Sequence, residues 1–207
     1  MMISSFPEQG VKLGAIVYRS GKDDIDSLLA NFAADQICEG HRLGGVVQYN
    51  GAKSVSQGRT MHLIDLMTGR AIAISQPLGV GAQACCLDPS GLADAAAAVS
   101  GAIAAEVELV IVNKFSRQEA NGGGLRAEIA DAVLAGLPVL TAVPDKLLDA
   151  WAEFTGGAGA TLACDRQSVE AWWRATSWRD GCNHLMARMA RQLKSRAHRD
   201  PARMSAA

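Results

Sequence analysis

The sequence predicts a three-layer α/β fold, a mostly parallel β-sheet covered by helices, with one β-hairpin inserted early. Three observations carry this expectation. Leu109 to Val112 and Pro138 to Val143 are apolar runs with almost no polar alternation, as expected of strands buried on both faces of a parallel sheet. Such runs alternate along the chain with segments of helical periodicity, the pattern of βαβ units. Thr60 to Leu66 and Arg70 to Ser75 flank Met67-Thr68-Gly69, which reads as a hairpin turn. A chain of 207 residues suffices for one such domain with a full core. A single domain over 1–207 is expected, with a C-terminal helical extension at about 166–207.

Leu13 to Tyr18 is the first strand, and Arg19, Ser20, Gly21 and Lys22 turn the chain. A helix follows, with Ile25, Leu28, Leu29, Phe32, Ala33 and Ile37 at helical spacing; Asp23 or Asp24 caps its start and Gly40 ends it. Strand, Gly-Lys and helix are laid out as in a phosphate-binding loop, whose N–H groups cradle phosphate at a helix N-terminus. The pattern G-x-x-x-x-G-K-[ST] is incomplete. Ile16 stands at the first glycine and Asp23 at the hydroxyl residue, which puts a carboxylate beside any phosphate.

Leu43 to Tyr49 is the second strand, Asn50 to Gly58 a polar turn-rich stretch, and Gln76 to Gly81 a loop. Asp88-Pro89 starts an Ala-rich helix that reaches about Ala105 and feeds the central strand. Asn121-Gly122-Gly123-Gly124 precedes a helix from Leu125 through Leu134 that stops at Gly136. After the strand at Pro138 to Val143, Asp145 is expected to cap a helix carrying Leu147, Leu148 and Trp151, broken by Thr155 to Gly159. Residues 160–164 are a candidate edge strand. Helix resumes at Ser168, and a final amphipathic helix is expected over Asp180 to Arg196.

Composition narrows the function classes. With 49% apolar and 20% charged residues, this is an ordinary globular chain with net charge −1, which gives no argument for nucleic acid. Residues 188–207 carry +5 of that charge and residues 1–187 carry −6, so the basic last helix is a candidate contact for a protein partner. No apolar run approaches the roughly 20 residues of a membrane helix, so no membrane insertion is expected. Cys38, Cys85, Cys86, Cys164 and Cys182 form an odd set without a C-x-x-C pair. With no signal peptide, they point to free thiols in a reducing cytoplasm and to no metal site.

The central strand ends abruptly in Asn113, Lys114, Arg117, Gln118 and Glu119. Ligands of open α/β sheets bind beyond the carboxyl ends of strands, which makes this exit the leading site candidate. Gly123 and Arg126, in the Gly-rich turn and at the next helix start, complete the group; Gln48 ends the second strand.

From Leu13 to Trp151 the order of motifs resembles the P-loop nucleoside-triphosphatases first described from thermophiles. The Gly-rich second strand, the hairpin from Met61 to Ser75 and the polar end of the central strand all have counterparts there. The chain is more closely similar to a bacterial domain-of-unknown-function family related to those enzymes. Val-Asn-Lys-Phe, a Gly-rich turn, Leu-Arg and Pro-Val-Leu-Thr-Ala-Val recur in that family, which is associated with molybdenum uptake.

The resemblance implies a P-loop-like fold and a bound nucleotide. It also implies an acidic pair where this chain has Asn113 and Lys114, which leaves Mg²⁺ doubtful and the Walker motifs degenerate. Asn113-Lys114 also matches the start of the guanine-reading Asn-Lys-x-Asp motif of GTPases, but Ser116 stands at its Asp, and that reading fails. The leading expectation is a small anionic ligand, a nucleotide or other phosphate-bearing molecule, with hydrolysis weak or absent. Lys22, Lys114, Arg117 and Arg126 would supply charge; Gln48 and Glu119 would orient the ligand. The alternative is a non-enzymatic module for a molybdate-like oxyanion or a pterin. An exposed Lys22 with Asp23 closing the helix start would favour it.

Overall fold

The computed structural model describes residues 12–49, 61–75 and 87–177. The expected stretches at Asn50 to Gly58, Gln76 to Gly81 and Asp180 to Arg196 lie outside the described residues. So do Cys85, Cys86, Cys182 and the basic tail. The chain divides into two compact units, 1–169 and 170–207.

In the first unit, β1 (Leu13–Tyr18) leads into α1 (Ile25–Cys38), then β2 (Leu43–Tyr49) and the hairpin of β3 (His62–Asp65) and β4 (Ala71–Ala73). Next come α2 (Pro89–Ala104), β5 (Leu109–Val112), α3 (Arg117–Ala120), α4 (Arg126–Leu134), β6 (Val139–Pro144), α5 (Leu148–Thr155) and β7 (Ala160–Leu162). A last helix covers 166–177. Beyond Val169 it belongs to the second unit, where Thr176 Oγ1 and Ser177 Oγ donate to the carbonyls of Trp172 and Trp173.

The seven strands form one sheet in the order β4-β3-β2-β5-β6-β1-β7. β2, β5, β6, β1 and β7 are parallel, and β3 is antiparallel to both its neighbours, β2 and β4. This is the predicted mostly parallel, P-loop-like α/β sheet with an inserted hairpin. One face carries Ala15, Val46, Val110, Val112 and Val139, packed with Val99 of α2, Ile129 of α4 and Trp151 of α5. The alternate residues Ile16, Ile111, Leu140 and Ala142 are equally buried and point the other way. α1 lies against β2 and buries Leu29, Phe32 and Ala33. Parallel strands buried on both faces cannot alternate polar with apolar residues, and these do not.

Local chemistry sets the element ends. The Asp24 carboxylate caps α1 by accepting from Ser27 N at 3.3 Å, and Asp88 caps α2 with Pro89 in its first turn. Gly156, at φ 62°, closes α5 in the left-handed region. At Gly44 a Cβ would collide with that of Ala102, so glycine lets α2 approach the sheet closely.

One expectation is corrected, and one element is added. Asp145 does not cap α5: a 3₁₀ turn over Asp145–Leu147 comes first, and the Asp145 carboxylate accepts from the neighbouring Lys146 N instead. Residues 117–120, to which the sequence reading assigns no element, form α3. The reason is a capping box, in which the Ser116 and Glu119 side chains satisfy backbone donors reciprocally.

Candidate ligand-binding site

Because β2, β5, β6 and β1 are parallel, their carboxyl ends share one edge of the sheet. The exit of β5 is stitched to both neighbours there. Asn113 N donates to Val46 O of β2 at 3.1 Å, and Phe115 N donates to Ala142 O of β6 at 3.0 Å. The Thr141 hydroxyl, fully buried on β6, donates to Val112 O at 2.7 Å. Phe115 is then anchored between Trp151 and Phe154, with ring centroids 5.0 and 5.7 Å away. This anchoring holds Asn113 and Lys114 at the edge.

Both side chains turn to the same atom. Asp26 Oδ1, in the first turn of α1, accepts from Asn113 Nδ2 at 3.1 Å and from Lys114 Nζ at 2.7 Å. The Lys114 ammonium also lies 5.6 Å from the centre of the Tyr18 ring, within cation–π range. Asn113 is only 4% exposed, and its Oδ1 is buried without a hydrogen-bond partner among the described residues. Burial pushes the Tyr18 phenol above its ordinary value; a hydrogen bond with Ser20 opposes the shift, and the Asp26 and Asp145 carboxylates add to it.

The turn after β1 closes on itself. Asp23 accepts from Arg19 N, Nε and Nη2 at 2.7, 3.1 and 2.7 Å, and these Arg19 bonds hold its carboxyl down at about 2. Lys22 N and Asp23 N both donate to Arg19 O, at 3.0 and 3.1 Å, so two amides of the expected phosphate cradle are committed to the turn. Ser20, Gly21 and Lys22 are exposed, and the Lys22 side chain makes no hydrogen bond or ion pair among the described residues. Asp23, Asp24 and Asp26 crowd the start of α1 with carboxylates, where a phosphate would need free donors.

The loop after β5 holds the remaining predicted residues. Glu119, expected to orient a ligand, is buried and faces inward: Oε2 accepts from Ser116 N and Oγ, and Oε1 from Leu125 N. Its oxygens clasp α3 to the start of α4. Arg126 donates to Glu119 O at 3.1 Å, and its guanidinium lies 4.3 Å above the Phe154 ring. Gly123 N donates to Gln118 O within the same turn. Arg117 is exposed, with no ion pair among the described residues. Gln48 is half-buried near the end of β2, paired in register with Leu63 of β3.

Thus Asn113 and Lys114 come together, and Asp26 and Tyr18, which sequence reasoning missed, join them. Glu119 and Arg126 serve the loop. The residues here fit Mg²⁺ poorly, since the Asp26 carboxylate already carries a lysine ammonium. Among the described residues, no group of three or more His, Cys, Asp or Glu side chains is placed to hold a metal. Cys38 and Cys164 are free thiols. Among the same residues, no helix is long and apolar enough to cross a membrane.

The chain is 57% identical over 168 residues to the "Molybdenum import ATP-binding protein ModC 2" of Bradyrhizobium diazoefficiens. That match covers 81% of this chain and 19% of that relative, so the chain spans about one fifth of the longer protein. No solved structure matches the chain. A family model described as "Protein of unknown function (DUF2478)" matches residues 13–172, and the chain belongs to that family.

Proposed function

We propose that this chain is a binding module of molybdenum import that holds a nucleotide or similar phosphate-bearing ligand without hydrolysing it. The observation that carries the reading is the Asn113–Lys114–Asp26 cluster. It lies beyond the central strand, where the P-loop enzymes it resembles place an acidic metal holder and a catalytic glutamate. Phosphoryl transfer depends on positioning and on metal charge. A lysine paired to an aspartate offers neither a metal ligand nor a base, so the Walker motifs are degenerate and hydrolysis is lost. Binding does not need those groups. Lys22 and Arg117, exposed after β1 and β5 and without an ion pair among the described residues, can meet phosphates, while the cluster meets the rest of the ligand. The relative's name, with its ATP binding and molybdenum import, supports a nucleotide and this pathway.

A second reading, a regulatory module for a small oxyanion such as molybdate, draws support from the Arg19–Asp23 clasp. With that clasp shut and Lys22 in solvent, no cradle for a triphosphate exists after β1. A protein partner at the basic C-terminal segment fits either reading.

The test is a thermal-shift screen of ATP, GTP, molybdate, tungstate and sulfate, since a ligand of the folded state raises Tm by mass action. Phosphate release from MgATP and MgGTP is measured beside it. A shift with a nucleotide and no release above background is expected. A shift with molybdate alone transfers the case to the second reading. Turnover of about 1 per second, at the low end of typical enzymes and abolished by Lys22→Ala, would overturn both.

A further inference from the structure

An anion cannot complete the cluster beyond β5. The group left without a partner among the described residues is an acceptor, Asn113 Oδ1, buried with its residue only 4% exposed. Phosphate and molybdate oxygens are themselves acceptors at neutral pH. Lys114 brings one positive charge and Asp26 one negative, 2.7 Å apart, so their fields largely cancel at a distance. What the cluster presents is a short alternation of hydrogen-bonding roles. Asn113 Oδ1 and the Asp26 carboxylate accept; Lys114 has three N–H donors, one of them on Asp26. A carboxylate has about four lone-pair sites, so Asp26 can accept from a ligand beside the neighbours it already holds.

We propose that Asn113, Lys114 and Asp26 read the edge of a 2-amino-4-oxopyrimidine ring, the ring common to guanine and the pterins. Its ring N–H and 2-amino group donate to the Asp26 carboxylate and Asn113 Oδ1, and its carbonyl accepts from Lys114. This restores a motif that fails in the linear sequence. Asn113-Lys114 lacks an aspartate two residues on, and the fold supplies one from α1, 87 residues from Asn113. Adenine carries the opposite polarity on that edge, an amino donor where the carbonyl should be, and would face Lys114 with a donor. A site built to hydrogen-bond a particular edge rejects the ring that lacks it, because its own buried groups are left unpaired.

This assignment rests on the reading of the chain as a ligand-binding module, and the test separates the two by using ligands without phosphate. The full chain is titrated calorimetrically with guanosine, inosine, adenosine and neopterin, and Asp26→Asn and Lys114→Met are titrated beside it. Circular dichroism confirms that both variants fold. Guanosine or neopterin is expected to bind, and the better of the two identifies the source of the ring. If guanosine is that ligand, inosine, which lacks the 2-amino group, should bind at least about 10-fold more weakly, the loss of one charge-assisted hydrogen bond. Asp26→Asn should weaken binding about 10- to 150-fold on the same basis. The assignment is overturned if guanosine and neopterin both give no heat, if adenosine binds as well as either, or if Asp26→Asn leaves affinity unchanged. GTP or molybdate binding beside silent guanosine and neopterin overturns the ring assignment alone and leaves the binding module standing.

Discussion

Replacing Glu119 with alanine removes the clasp that joins α3 to α4, and its cost can be worked from the contacts. The carboxylate accepts from Ser116 N, Ser116 Oγ and Leu125 N at 2.8, 2.6 and 3.0 Å. Hydrogen bonds to a charged group contribute roughly 1.5–3 kcal/mol each, but the three do not simply add. Ser116 is only half-buried, so water can take over its donors, and its loss is about that of a helix cap, roughly 1 kcal/mol. Leu125 is 3% exposed, and its amide would stay orphaned at about 1–3 kcal/mol. The expected loss is therefore about 2–4 kcal/mol. Urea unfolding at neutral pH reads it as a lower midpoint with an unchanged slope. Gly124→Ala should give a comparable loss, since a Cβ there would collide with Glu119 Oε1 and φ is +61°. A Glu119→Ala variant within about 0.5 kcal/mol of wild type would refute the reasoning and return Glu119 to the list of ligand-facing groups.

The same experiment on Phe115→Ala should show a loss of about 3–5 kcal/mol, because the ring is fully buried against Trp151 and Phe154; a loss below about 1 kcal/mol would deny that it anchors the β5 exit. The Asp23 carboxyl should titrate at about 2 by NMR and return toward the ordinary carboxylate range in Arg19→Ala. Its folded value is depressed, so the stability that it contributes is present above about 3.8, the unfolded value, and fades as pH falls toward 2. For Tyr18 the sign is reversed: its folded value is raised, so its contribution is present below about 10 and lost as pH climbs past it, a trend that Tyr18→Phe should remove.

Much of the architecture is legible in the residues. Leu109 to Val112 and Val139 to Val143 are strands because unbroken branched apolar runs suit a sheet covered on both sides, and Asp88-Pro89 starts a helix as its chemistry dictates. The polar exit of β5 is legible for the same reason, since the apolar run simply stops at Asn113. Asp26 is not. It reads as one more acid in the first turn of α1, and only the adjacency of β1, β6 and β5 brings it to Lys114, 88 residues away. Glu119 shows a different failure. The Ser116-x-x-Glu119 spacing marks a capping box, and a carboxylate among cations reads as a ligand group until that box is recognised. Arg126 follows Glu119, because its carbonyl and the Phe154 ring lie nearer than solvent. The Gly-Lys turn is ambiguous by nature: the same residues make a phosphate loop or a self-closed turn, and Arg19 and Asp23 decide between them.

Binding at the β5 exit without a metal is most directly tested by calorimetric titration of ATP and GTP into wild type and Lys114→Ala, each with and without EDTA. Losing the Lys114 donor should weaken binding of the preferred nucleotide roughly 10- to 150-fold, the range for one charge-assisted hydrogen bond. Chelator should change nothing. Equal affinity in wild type and variant, binding that collapses with EDTA, or no binding of either nucleotide would contradict the account.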